Sequence, residues 1–198
     1  MEIELARPSE ALGIAEILNA LGINGGEVAE DSEPYLAIPG NWGPRWLIPA
    51  QPRASAFALS TWHPYTIPSR LKWFAIRMAA RAGALQLARS VSSVTVSRPG
   101  ARQWFERCGI SSRTSEMVIL VGNPSPDRKL VVFLLDEAHR VAAVLKVGLT
   151  AGGGMSVLHE AEMLRLLEPY NLAPKLLSVH SELQAATQEY VHGAMPGR

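Results

Sequence analysis

The chain has little with which to bind metal, cross-link itself or enter a membrane. Its single cysteine, Cys108, excludes an internal disulfide and suits a reducing compartment. No uninterrupted apolar run approaches the roughly 18 residues that a spanning helix needs. Residues 1–30 are acid-rich and lack the basic, apolar and small-residue series of a secretory signal, so the cytoplasm is the expected location. The histidines His63, His139, His180 and His192 show no ligand spacing. His159-Glu160 would open a zinc helix only with a second histidine where Met163 stands. Internal repeats and low-complexity tracts are also missing.

What is present reads as globular: 198 residues, 47% apolar and 19% charged, enough to bury a substantial core. The net charge of +1 hides an asymmetry. From Met1 to Ile38 there are eight acids and one base, Arg7; from Pro39 to Ile110 there are ten bases and one acid, Glu106. Two readings stay open. The two segments pack near each other in one fold, or the basic one faces an anionic neighbour.

Ser9 to Leu21 reads as a short helix capped by Ser9 and ended by Gly22 and the Gly25-Gly26 pair. Seven prolines between residues 34 and 68 exclude long helices there, and short extended pieces are expected at Arg45–Ile48 and Ala54–Ser60. Ser69 to Arg89 is the longest helical pattern. At about 100° per residue, Leu71, Phe74, Met78, Ala82 and Leu85 share one face. Trp73, Ile76, Ala80 and Leu87 form a second apolar strip, and Arg70, Arg77 and Arg81 run between the two. Such a helix is either sandwiched in protein with its arginines reaching to water, or laid against an anionic surface. Val91–Val96 reads as a strand and Pro99–Cys108 as a short helix stopped by Gly109.

After an expected boundary near Ile110–Arg113, dividing 1–110 from 114–198, the pattern changes. Met117–Val121, Leu130–Leu135 and Val141–Val147 are β-type runs separated by turn-rich segments. Gly152-Gly153-Gly154 connects to an amphipathic helix, Ser156–Leu167, and two short strands follow at Leu176–Val179 and Ala186–Val191. The glycine run lacks the Gly-Lys-Ser/Thr that would make it a P-loop; otherwise it is a phosphate cradle or a flexible connection. A lysine ending an apolar strand, as Lys146 does, is commonly only a strand terminus reaching water. A glutamate such as Glu160 near a helix start is favoured by the helix dipole whatever the function.

This order, with Ala143-Val144-Leu145-Lys146, His159-Glu160-Ala161-Glu162, Leu172-Ala173-Pro174-Lys175 and Gln188-Glu189-Tyr190-Val191-His192-Gly193, resembles the N-terminal lobe of the aminoglycoside phosphotransferase and choline kinase-like family. The resemblance covers residues 114–198. It implies an α+β fold, a kinase-like N-lobe of five antiparallel strands and one helix, preceded by a mixed, helix-containing region. It implies ATP or GTP as the nucleotide, with magnesium in the intact family. Lys146 would neutralise the α- and β-phosphates, and Glu160 rather than Glu162 would hold its ammonium. Gly122–Lys129 would cover the phosphates. Glu189, Tyr190 and Val191 would offer backbone groups to the adenine edge.

The family's catalytic half needs an aspartate base and a second aspartate for the metal, both after the hinge. The three aspartates here are Asp31, Asp127 and Asp136, and no His-x-Asp or Asp-Phe-Gly run occurs. The expectation is therefore an incomplete phosphotransferase, ending after the hinge and inactive by itself. Its partners would be a nucleotide and a missing C-terminal lobe or partner chain, and the parent activity would phosphorylate a hydroxylated, sugar-like molecule. The alternative is a non-catalytic module whose helix 69–89 contacts a membrane surface or protein through Arg70, Arg77 and Arg81. Nucleic acid is not an expected partner, because no recognition motif accompanies the bases.

Overall fold

The structure is a computed structural model that describes residues 12–23, 32–52, 59, 67–107 and 116–191. Cys108, Ser9, Gly25-Gly26, His63, the Ile110–Arg113 boundary and His192-Gly193 lie outside the described residues, as does the strand expected over 54–60 apart from Leu59. The elements in chain order are α1 (Ile14–Ala20), β1 (Ser32–Gly40), β2 (Gly43–Pro49), α2 (Ile67–Arg81), β3 (Ser92–Ser97) and α3 (Arg98–Arg107). They continue with β4 (Met117–Val121), β5 (Lys129–Leu135), β6 (Val141–Gly148), α4 (Ala151–Leu167), β7 (Leu176–His180) and β8 (Ala185–Glu189).

Alternation along the strands builds two apolar faces, because successive side chains on a strand point to opposite sides. Leu130, Val132 and Leu134 on β5 and Ala143, Leu145 and Val147 on β6 are buried in one core with Leu47 and Ile119. That face is covered by Ile17 and Leu18 of α1 and by Ala101, Trp104 and Phe105 of α3. The other face carries Trp46, Ile48, Val118, Leu120 and Val144, covered by Leu59 and by Trp73 and Ala80 of α2. Each large apolar side chain so buried contributes roughly 1.5–3 kcal/mol. Helices therefore lie on both sides of a single sheet.

That sheet corrects the expected five-stranded one. Among the described residues it has eight strands in the order β3-β1-β2-β4-β5-β6-β8-β7, every neighbouring pair antiparallel. The fold is α+β, and the strands expected after residue 114 are β4 to β8. The sheet does not stop at β4, because Trp46↔Leu120 and Leu47↔Ile119 pair β2 to its outer edge. A fully buried β4 whose outer edge lacked a partner would leave its backbone groups unsatisfied.

Strand β1 is not evident from the sequence, since Pro34 and Pro39 argue against a central strand. The structure accommodates them at its ends. Pro39 sits at a register shift beside the hairpin turn, and the Pro34 carbonyl accepts the Ala50 N–H at 2.9 Å. The helix expected over 69–89 is also shorter. It ends at Arg81, and Gly83 turns the chain at φ +68°. Leu85 then enters the core in a separate turn of 3-10 helix while Leu87 stays exposed.

Candidate functional site

Lys146 and Glu160 meet across the junction of β6 and α4. Alternation puts Ala143, Leu145 and Val147 into the first core, so Val144 and Lys146 face the second side. On α4, Val157 and Ala161 are buried against Ala186, the cross-strand partner of Lys146. Glu160 is the residue between them that projects from the rim of this contact. The Lys146 ammonium donates to Glu160 Oε1 and, at 3.2 Å, to Gln188 Oε1 on β8. Lys129 Nζ at the start of β5 lies 3.6 Å from Glu160 Oε2. The side chains of Lys146 and Glu160 keep 17% and 35% of their exposure. At that exposure a pair adds at most about 1 kcal/mol to stability, so the fold does not depend on it. Glu162 points away, exposed, 3.9 Å from His159 Nδ1.

Two lysines thus share one carboxylate and leave one positive charge in excess. Neither Lys129 nor Gln188 stands out in the sequence as part of this group. The signal for Lys129 is its period-two relation to Val131, the cross-strand neighbour of Lys146. Beside Lys146 the same face carries half-buried Val131 and Phe133, with Tyr190 packed against the same cluster. Phe133 stacks on Trp46 at 6.5 Å, and Trp46 meets Trp73 at 5.4 Å, so an aromatic group borders this face on the β2 side.

The glycine run is not a flexible connection. Gly152, Gly153 and Gly154 form the first turns of α4, which starts at Ala151 and not Ser156, with Thr150 as its cap accepting the Gly153 N–H at 3.0 Å. At Gly152 and Gly153 glycine is required because backbone passes too close for a side chain, and at Gly154 the Gln184 side chain fills the space. A Cβ on Gly152 would lie 2.6 Å from the Pro126 carbonyl, one on Gly153 would overlap the Arg128 carbonyl, and one on Gly154 would overlap Gln184. Thr150 Oγ1 also donates to the Pro126 carbonyl, and Leu149 N–H donates to Arg128 O at 2.9 Å. The β4–β5 loop is thereby fastened to the start of α4.

Of the expected hinge residues, Glu189 is exposed and its N–H is spent on the Lys175 carbonyl at 2.8 Å. Tyr190 is half-buried and Val191 exposed, just past the end of β8. Arg70, Arg77 and Arg81 lie on α2, remote in sequence from the lysine pair. On that helix Trp73 and Ala80 are buried, whereas Ile67, Leu71, Phe74 and Met78 are exposed, so of the two apolar strips only one enters the core.

A second cationic feature is absent from the sequence reading. Arg45 of β2 and Arg128 of the β4–β5 loop line a cavity of about 410 Å³ between that loop and the β1–β2 turn. Arg45 Nη1 donates to Val121 O and, at 2.9 Å, to Asn123 Oδ1; Arg128 Nε donates to Gly122 O at 3.2 Å. Burial, and for Arg45 also the neighbouring Arg128 charge, lowers both guanidinium pKa values from their usual range. Among the described residues, no group of three or more His, Cys, Asp or Glu side chains is placed to hold a metal, and no helix is long and apolar enough to cross a membrane. No protein-family model, curated protein or solved structure matches the chain.

Proposed function

We propose that β4 to β8 with α4 form a kinase-type nucleotide-binding lobe that belongs to an incomplete phosphotransferase. The observation that carries this reading is the Lys146–Glu160 pair, formed by a strand and a helix fourteen positions apart in the chain. A strand lysine oriented by a helix glutamate is how kinase-type sites present an ammonium to the α- and β-phosphates. Lys129 adds a second cation, so the group suits a polyanion better than a closed ion pair would. Val131, Phe133 and Tyr190 supply an apolar surface for the base, and the β4–β5 loop, fastened to α4, covers the phosphate end.

Bound ATP or GTP would supply the transferable phosphoryl group. Lys146 and Lys129 would hold and screen its charge, with Glu160 and Gln188 keeping Lys146 in place. The sequence has no aspartate beyond Asp136, so the base and the magnesium ligands would come from groups outside it. Calorimetric titration with ATP and GTP tests the reading. Saturable binding that Lys146→Met weakens by about tenfold supports it. Absence of binding, or binding indifferent to Lys146→Met, overturns it.

A second reading has its own observation. Ile67, Leu71, Phe74 and Met78 form an exposed apolar row along α2 at helical spacing, with Arg70, Arg77 and Arg81 running beside it. That is the pattern of a helix lying on an anionic membrane surface. Co-sedimentation with phosphatidylserine vesicles, lost in Leu71→Glu/Phe74→Glu and reduced by neutralising the three arginines, supports it. Unchanged sedimentation of both variants sinks it.

A further inference from the structure

Arg45 and Arg128 pose a problem that the nucleotide reading does not solve. Arg128 is 2% exposed, and its Nη1 is buried without a hydrogen-bond partner. A buried donor left unpaired costs about 1–3 kcal/mol, more when charged, so such a group calls for an explanation. Its neighbour Arg45 is a second guanidinium, close enough that the two charges act on one another. Among the described residues no carboxylate forms an ion pair with either arginine. The carboxylate that draws on Arg128 at a distance is Glu16, which is engaged by the Gly13 N–H at 2.7 Å.

Proteins rarely set two guanidinium groups together in a partly desolvated place without a counter-charge. Here the place is a cavity whose volume suits a small ligand. Its wall includes Trp42 at the β1–β2 turn, 52% exposed although large and apolar. Gly43, in the left-handed region at φ +99°, lets the turn bend back beside the loop. The planar guanidinium fork matches the spacing of oxygens in phosphate and carboxylate groups.

We infer that this cavity is an oxyanion-binding pocket, in which Arg45 and Arg128 hold a phosphate or carboxylate group and Trp42 covers the body of the small molecule that carries it. The pocket is separate from Lys146. It shares with the lysine group only the β4–β5 loop, whose carbonyls at Val121 and Gly122 the two arginines already hold. An anion there would complete the arginines' hydrogen bonding and stiffen the loop.

The test uses the whole chain with inorganic phosphate and malonate as probes, at constant ionic strength set with chloride. Calorimetry and tryptophan emission should show saturable binding. Arg45→Gln and Arg128→Met should each weaken it by about tenfold, the loss expected for one charge-assisted contact. Trp42→Phe should remove most of the emission change. Preference for malonate would assign the pocket to carboxylates, and preference for phosphate to phosphorylated compounds. Arg128→Met is the variant that risks unfolding, so Arg45→Gln and the exposed Trp42 decide the matter if it does. No saturable response to either probe, or equal binding by Arg45→Gln, overturns the pocket. Loss of phosphate binding in Lys146→Met would instead place the anion at the lysine group.

Discussion

Two of the molecule's clusters of positive charge, Lys146 with Lys129 and Arg45 with Arg128, adjoin the β4–β5 loop, and they are built on opposite plans. At Lys146 and Lys129 a carboxylate, Glu160, is present and partly exposed, so half of the charge is compensated and the group is open to water. At Arg45 and Arg128 no carboxylate among the described residues forms an ion pair, and Arg128 is buried more deeply. The first arrangement is stable whether or not a ligand arrives. The second carries an unpaired donor in its absence, so occupancy should register more strongly in stability there. Linkage makes the difference measurable, since a ligand that binds only the folded chain raises its stability in proportion to occupancy.

The largest effect should come from the joint that both clusters share. Gly153→Ala forces a methyl group onto the Arg128 carbonyl and should destabilise the fold by about 2–3 kcal/mol. Thermal unfolding measures this, and a loss confined to one cluster would show that the loop does not couple them. Next, Lys146→Met should reduce nucleotide affinity by about tenfold while changing the melting temperature little, because the half-exposed pair adds about 1 kcal/mol. Glu160→Gln should act in the same direction more weakly, by a few-fold, since Gln188 Oε1 still holds the ammonium at 3.2 Å. A fall in stability larger than the fall in affinity would turn the pair into a structural strut.

The smallest effect belongs to a turn away from both clusters. The Asp136 carboxylate accepts the N–H groups of Ala138 at 2.9 Å and Arg140 at 2.8 Å, with Arg140 Nε at 3.0 Å. Partial burial opposes its ionisation, but these hydrogen bonds and the Arg140 charge outweigh it, and its pKa is lowered. A lowered carboxylate pKa stabilises the fold above the unfolded-state value near 4 and loses that contribution as pH falls through the folded value. Asp136→Asn should therefore cost about 1 kcal/mol at pH 7, and the difference from wild type should vanish in acid. A difference that persists at pH 2 would mean that the turn geometry, not the charge, is at work. It is the control in which neither cluster is touched.

Local chemistry was sufficient for the elements whose period and punctuation agree. The alternation of Leu130–Leu135 and of Val141–Val147 marks β5 and β6, and Pro99 marks the first turn of α3. The same alternation places Lys146 on a face opposite Leu145, and helical spacing places Glu160 beside Ala161. Their pairing was implied only by the family resemblance, since the spacing of either residue says nothing of the other. Legibility failed wherever a residue's role depends on a neighbour distant in the chain. The prolines of β1 are tolerated because of a bulge and of Ala50, and Gly152 and Gly153 must be glycine because the carbonyls of Pro126 and Arg128 approach them. Leu71, Phe74 and Met78 have the spacing of a buried face, yet the sheet takes Trp73 and Ala80 instead.

The sequence by itself thus determined the mixture of strands and helices and the strands from Met117 onward, because each follows from short-range periodicity; the lysine–glutamate pair was implied only by the resemblance. Only the tertiary structure decided that β2 would extend the sheet past β4, and with it that Arg45 would come to lie beside Arg128. Those arginines are more than eighty positions apart in the chain. No local pattern encodes their proximity, which results from burying the edge of β4.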